Sequence, residues 1–193
     1  MGKRMIEHWR RVACLIRAGI GSASAHRDAS PFKEASARVR DYLAHNELGL
    51  ALDDCRALSG EIGLGKLSDL FFSQARFEME SYRDGASVEV ERQLDLGEVV
   101  DWPSFHAVCA QQLEFPSYYG RNQDAWIDLV EEVAKATAGD GRLVLRLSRW
   151  CHAQRQAPVV FNAFMECLEC INFDRRAARI CLDISSHDDS DYL

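Results

Sequence analysis

The sequence predicts an all-α helical bundle followed by a small α/β domain, a parallel three-stranded sheet with packed helices. Three observations lead there. Apolar residues recur at helical spacing throughout the first part of the chain, the period changes toward alternation after Asp84-Gly85, and strand-like and helix-like segments then take turns. A chain of 193 residues, 47% of them hydrophobic, is long enough to build two small cores.

The first helix is expected over Ile6 to Ile20, where Trp9, Val12, Ala13, Ile16 and Ile20 share a face. Gly19, Gly21 and a Ser/Ala stretch end it. A second helix starts near Pro31, since proline is tolerated in a first turn, and runs to about His45 with Phe32, Ala35, Val39, Tyr42 and Leu43 on one side. A third covers Leu48 to about Leu58. Gly60, Gly63 and Gly65 punctuate the next turn, and Leu67 to Tyr82 carries Leu70, Phe71, Gln74, Phe77 and Glu78 at helical offsets.

The residues Val88 to Leu96 read as a strand, and the domain boundary is placed near residue 86. Then follow a helix at about 102–113, a loop, a helix at about 121–137, a strand at Leu143 to Leu147, a helix at about 157–171 and a strand at Arg179 to Ile184. Strands separated by helical segments make a parallel sheet. The expected organisation is therefore a helical domain 1–86, an α/β domain 87–185 and an acidic tail 186–193 containing Asp188, Asp189 and Asp191.

Charge is informative once it is divided by position. Residues 1–89 hold 13 Lys+Arg and 13 Asp+Glu, so the whole net charge of −7 lies in the second half. That disfavours nucleic acid as a direct ligand of this half and favours a basic partner. Seven cysteines, at 14, 55, 109, 151, 167, 170 and 181, are an odd number set among apolar residues, which suits reduced thiols rather than a secreted disulfide framework. Arg10, Arg11 and Arg17 interrupt the first apolar stretch too soon for a signal peptide, and no run approaches the ~20 apolar residues of a membrane span. A soluble cytoplasmic protein with no membrane partner is expected.

The informative segment is Glu114-Phe115-Pro116-Ser117-Tyr118-Tyr119-Gly120-Arg121-Asn122-Gln123-Asp124-Ala125-Trp126-Ile127-Asp128-Leu129. Pro116 and Gly120 bracket a tight loop that presents two tyrosines, and a helix begins near Arg121 or Asn122. Ala125, Leu129 and Val133 sit four apart and are expected to face the core, which puts Asp124, Asp128 and Glu131 or Glu132 on an adjacent acidic ridge. Like charges at this spacing cost a helix roughly 0.2–0.5 kcal/mol, so the ridge is either a solvated face or a surface kept for a partner; the tyrosines beside it favour a partner.

The pattern Pro116-x-Tyr118-Tyr119-Gly120-x-Asn122-x-Asp124-Ala125-x-x-Asp128, with its surrounding order of strands and helices over about residues 90–185, resembles the barstar family. The resemblance implies an inhibitor rather than an enzyme. In that family the tyrosine loop and acidic helix plug the active site of a ribonuclease, with carboxylates in the place of substrate phosphates. It implies Tyr118, Tyr119, Gly120, Asn122, Asp124 and Asp128 as toxin-binding residues, with Glu166 on the last helix as a further acidic contact, and no cofactor. The expected partner is a basic toxin domain of nuclease type, and the expected role is that of an immunity protein. Arg121 and the Trp126-Ile127 pair depart from the family pattern. Val39 to Asp54 more weakly resembles the helix-turn-helix core of small helical immunity proteins that accompany polymorphic toxins, a likeness extending over about residues 31–82; an ordinary helix pair reads the same way.

Other signals carry less. Cys167-x-x-Cys170 lacks a second pair of ligands, though Cys151-His152 would have to approach it to make a metal site. His106 and Cys109, with Asp101, fit packing on an amphipathic helix better than a nucleophilic site. Gly60-x-x-Gly63-x-Gly65 follows no strand and lacks a phosphate-loop lysine, and the cluster Lys3, Arg4, Arg10 and Arg11 reads as a solvated helix face. Two rivals remain in other classes: an adaptor that keeps the fold, or an inhibitor of a non-nuclease toxin, on one side, and a metal-dependent hydrolase built on Asp124, Asp128 and Glu166 on the other. Oligomeric state is not legible.

Overall fold

The structure is a computed structural model that describes residues 3–23, 26, 28–81, 88–138, 141–175 and 179–184. These residues gather into two compact units, one within 3–81 and one within 88–184. The expected boundary near residue 86 and the acidic tail 186–193 lie outside the described residues.

The first unit holds α1 (Lys3–Ser22), α2 (Ser30–Ala44), α3 (Leu48–Ile62) and α4 (Lys66–Ser81). Helices α1 and α4 pack together, and Val12, Leu15 and Ile16 of the one and Leu70, Phe71 and Ala75 of the other are all buried. Gly19 makes their approach possible, because a β-carbon there would collide with the Phe72 ring. Helix α3 runs past the expected end at Leu58. Gly60 lies inside it, and Gly63, with φ 65°, supplies the left-handed C-cap whose N–H returns to the Ser59 carbonyl at 2.9 Å. Between α1 and α4 the helical period also buries polar groups. Glu78 Oε1 accepts from Arg11 Nε at 2.7 Å and lies 3.0 Å from His8 Nδ1, with all three side chains sealed from solvent.

The second unit has the order β1 (Glu89–Asp95), α5 (Trp102–Gln112), α6 (Gln123–Ala138), β2 (Arg142–Ser148), α7 (Trp150–Gln156), α8 (Pro158–Glu169), a π-helical turn (Cys170–Arg175) and β3 (Ile180–Asp183). The sheet is parallel with order β1-β2-β3; Leu94 pairs with Leu147 and Leu145 with Leu182. The central strand, Arg142-Leu143-Val144-Leu145-Arg146-Leu147-Ser148, is buried along most of its length, with Leu143, Val144, Leu145 and Leu147 fully enclosed by helices and neighbouring strands. Gly141 is required by proximity at its start, since a side chain there would run into the carbonyl oxygens of Val88 and Ala138.

The fold class is the one read from the sequence, with one correction. A single helix was expected between the last two strands, but two are present. Arg149, at φ 51°, turns the chain into α7, which lasts seven residues before Ala157-Pro158 restarts the helix as α8. So short a helix, without a side-chain cap, leaves no periodic signature; Trp150 nevertheless anchors it by stacking on Phe161 at 6.0 Å. Among the described residues no helix is long and apolar enough to cross a membrane.

Candidate functional site

Helix α5 is the platform of the site. Asp101 is its N-cap: the carboxylate accepts from Ser104 N at 2.9 Å while Ser104 Oγ accepts from the Asp101 backbone, and Pro103 fits the open first turn. Trp102 and His106, four residues apart, therefore fall on one face and stack at 5.5 Å with 22° between the rings. Phe105 faces inward onto Trp126 and Phe164.

The loop after α5 turns at Glu114, with φ 57°, and again where Tyr119 N donates to the Pro116 carbonyl at 3.0 Å. That turn separates the two tyrosines. Tyr118 is 76% exposed, whereas Tyr119 is buried against Phe115 and His106, with its hydroxyl hydrogen-bonded to His106 Nδ1. The expectation that the loop presents both tyrosines is thus corrected: adjacent residues in a tight turn point to opposite sides, so Tyr118 is displayed and Tyr119 fastens the loop to α5. Burial pushes the Tyr119 hydroxyl pKa up, and His106 is held below its usual value by burial first and by Arg121 second.

Gly120 is exposed and has no positive φ; Arg121, at φ 48°, makes the left-handed step into the helix. Asn122 is the N-cap of α6, its Oδ1 accepting from Ala125 N at 2.9 Å and its carbonyl from Trp126 N at 3.0 Å. The helix thus begins at Gln123, later than expected, because Asn122 offers the capping side chain.

Within α6 the deeply buried residues are Trp126, Val130 and Ala134, flanked by Ile127 and Leu129. The expected core stripe of Ala125, Leu129 and Val133 is therefore turned by one residue, with Ala125 and Val133 only half-buried. The indole of Trp126 claims the centre, 5.5 Å from Phe164, and drags the helix face with it. Asp124, Asp128 and Glu132 remain exposed, while Glu131 turns inward and has Lys135 Nζ 3.7 Å away. Asp124 sits in the first turn, where the helix dipole favours a negative charge.

Glu166 is half-buried on α8. It and Asp124 both bear on the Cys167 thiol, which burial above all, then Cys170 and these two carboxylates, push up to about 12. Asp124 of α6 and Glu166 of α8 thus both act on one thiol. Sequence reasoning missed the hollow beside them, about 490 Å³ and lined by Trp102, His106, Arg121, Asn122, Gln123 and Asp124. The capping box at Asp101 and the four-residue spacing of Trp102 and His106 were the available signals. Among the described residues no group of three His, Cys, Asp or Glu side chains is arranged to hold a metal ion, and all seven cysteines are free.

Residues 90–185 match the family model described as Barstar (barnase inhibitor). The second unit is a barstar-family domain. No curated protein and no solved structure matches the chain. The barstar match spans all three strands but for the first residue of β1, together with α5 to α8, and leaves the four-helix unit outside it. Membership places this half of the chain in a family of inhibitors, and Tyr118 and the exposed part of α6 lie within the matched stretch.

Proposed function

We propose that the chain is an immunity protein that binds and blocks the active site of a bacterial toxin, a ribonuclease, inside the producing cell's cytoplasm. The observation that carries this reading is the exposure of Asp124 and Asp128 on the outer face of α6, beside the displayed Tyr118, in a domain of an inhibitor family. Carboxylates on a rigid helix would occupy the positions that substrate phosphates take in a basic cleft and would steer that cleft toward them. Tyr118 would supply an aromatic contact at low entropic cost, Gly120 would let the loop come close, and Glu166 would extend the acidic face from α8. Asn122 and Tyr119 contribute by holding α6 and the loop in place. In this reading residues 1–86 and 87–185 are separate modules, with 186–193 as an acidic tail, and the free thiols suit a reducing compartment.

The test is an RNA-cleavage assay with the toxin domain encoded beside this gene, run with and without the full chain. Stoichiometric loss of cleavage, relieved by the double substitution Asp124→Ala/Asp128→Ala, is the expected result. Inhibition untouched by that double variant would remove the assigned surface, and tight binding to a partner that never cleaves RNA would replace the nuclease by a toxin of other chemistry.

A further inference from the structure

Arg121 is out of keeping with an acidic plug. It projects from the loop that leads into α6, in a left-handed conformation that L residues seldom adopt, and among the described residues its guanidinium makes no hydrogen bond or ion pair. Asp124 lines the same hollow three residues later without pairing to it. The hollow's inner wall is the Trp102-His106 stack. His106 is 4% exposed, and with Nδ1 taken by Tyr119 its other ring nitrogen has no partner among the described residues. Tyr119 keeps its proton at neutral pH and can donate it to Nδ1, which leaves the proton of neutral His106 on Nε2. A guanidinium fork, a buried imidazole donor and the first turn of α6 thus gather around one space of about 490 Å³.

From this convergence we infer that the hollow receives a carboxylate side chain of the bound toxin, held by Arg121 and His106 against Trp102. This rests on the inhibitor reading and sharpens it: the recognised surface is a mosaic, with cationic groups facing Asp124 and Asp128 and an acidic group set beside them. Charge complementarity selects a protein carboxylate over a free phosphate or a nucleic acid. The second half of the chain carries the whole net charge of −7, so a mobile anion is repelled from this face, whereas a carboxylate mounted on a basic protein is carried in by its neighbours. Arg121 then gives specificity, because a toxin without a carboxylate at that point would bury the guanidinium unpaired.

The two explanations of Arg121 predict opposite signs. If the hollow takes a carboxylate, Arg121→Gln in the full chain weakens binding of the neighbour-encoded toxin domain by roughly tenfold or more, chiefly through faster dissociation. Arg121→Glu weakens it further and is rescued when one carboxylate on the toxin's binding face, each changed in turn, becomes lysine. If Arg121 is only a cation tolerated in an acidic patch, Arg121→Gln tightens binding and speeds association, and the inference is overturned. Thermal melts check that these exposed substitutions leave the fold intact. Asp128→Ala measured in parallel separates the failures: affinity unchanged in that variant sinks the inhibitor surface itself, as does a wild-type chain that binds no toxin, whereas loss with Asp128→Ala but not with Arg121→Gln sinks the carboxylate hollow alone.

Discussion

One charged cluster in each unit makes a contrast between sealed and open charge. The helical unit encloses Glu78, Arg11 and His8 between α1 and α4, where each finds a partner within the chain. The barstar-family unit leaves Asp124 and Arg121 on the surface within three residues of each other, neither in an ion pair among the described residues. A buried charge without a partner costs several kcal/mol, so enclosure demands compensation, whereas an exposed charge is already compensated by water. The sealed cluster therefore concerns the fold, and the open one is available for the binding role proposed for it. Helix α6 repeats the contrast on a smaller scale: Glu131 is buried with Lys135 close by, and Asp128 faces solvent.

Breaking the sealed cluster should have the largest effect. Glu78→Ala removes the carboxylate 2.7 Å from the buried Arg11 guanidinium and is expected to destabilise the protein by about 3–5 kcal/mol, measured by denaturant unfolding. Asp124→Ala should change the same quantity by no more than about 0.5 kcal/mol, as surface substitutions generally do. Equal losses in the two variants would erase the distinction. The complementary measurement is binding: Asp128→Ala is expected to cost about 2–4 kcal/mol of toxin affinity, in the range of interface hot spots, with stability unchanged.

How much of this was legible depended on whether the signal was periodic. The four helices of the first unit, the strand-helix alternation of the second and the exposed positions of Asp124 and Asp128 follow from spacing, since a residue's face on a helix is fixed by its number. The inward turn of Tyr119 was not legible, because the direction of a side chain in a turn depends on which tertiary partner, here His106, lies behind it. The rotation of α6 was hidden for a related reason: spacing offers several apolar stripes, and the bulk of Trp126 decides among them. Helix α7 was missed because seven residues are too few to show a period. The hollow joins Trp102 and Arg121, nineteen residues apart; the capping box and the Trp102-His106 spacing mark one wall of it, but no local pattern brings Arg121 there.

Asn122 offers a smaller and more pointed test, because it belongs to both sides of the comparison. Its Oδ1 caps α6, and its position in the motif makes it a candidate contact. Asn122→Ala should cost about 1 kcal/mol of stability through the lost cap, while Asn122→Asp keeps the capping oxygen and adds charge. A binding loss shared by both variants would assign Asn122 to the interface, and one confined to the alanine variant would assign it to the helix end.

The smallest expected effect is a pH dependence centred on His106, where a sealed group touches the open surface. Burial, and then Arg121, lower its pKa below 6.5, so in the unfolded chain it binds a proton at a pH where the folded chain does not. The unfolded state therefore holds more protons in that interval, and stability falls as pH drops below about 6.5 toward the folded value. Asp95, held low by its bond to Arg149, and Asp101, held low by Ser104, lose their contributions in a separate and more acidic interval, below the ordinary carboxylate value of 3.8. Unfolding free energies of the wild type and of His106→Gln, compared across both intervals, isolate the imidazole: the variant should lose the upper slope and keep the lower one. Protonation also puts a proton on Nδ1, so the Tyr119 hydroxyl must become the acceptor, which turns its own proton away from the ring. Toxin binding over the same interval separates two roles of the ring: a carboxylate seated on His106 Nε2 should be held more tightly as the imidazolium forms, whereas a loop that depends on the Tyr119 hydrogen bond should bind less tightly, and a binding profile unchanged in His106→Gln would remove both roles and leave Tyr118 held by the turn at Pro116.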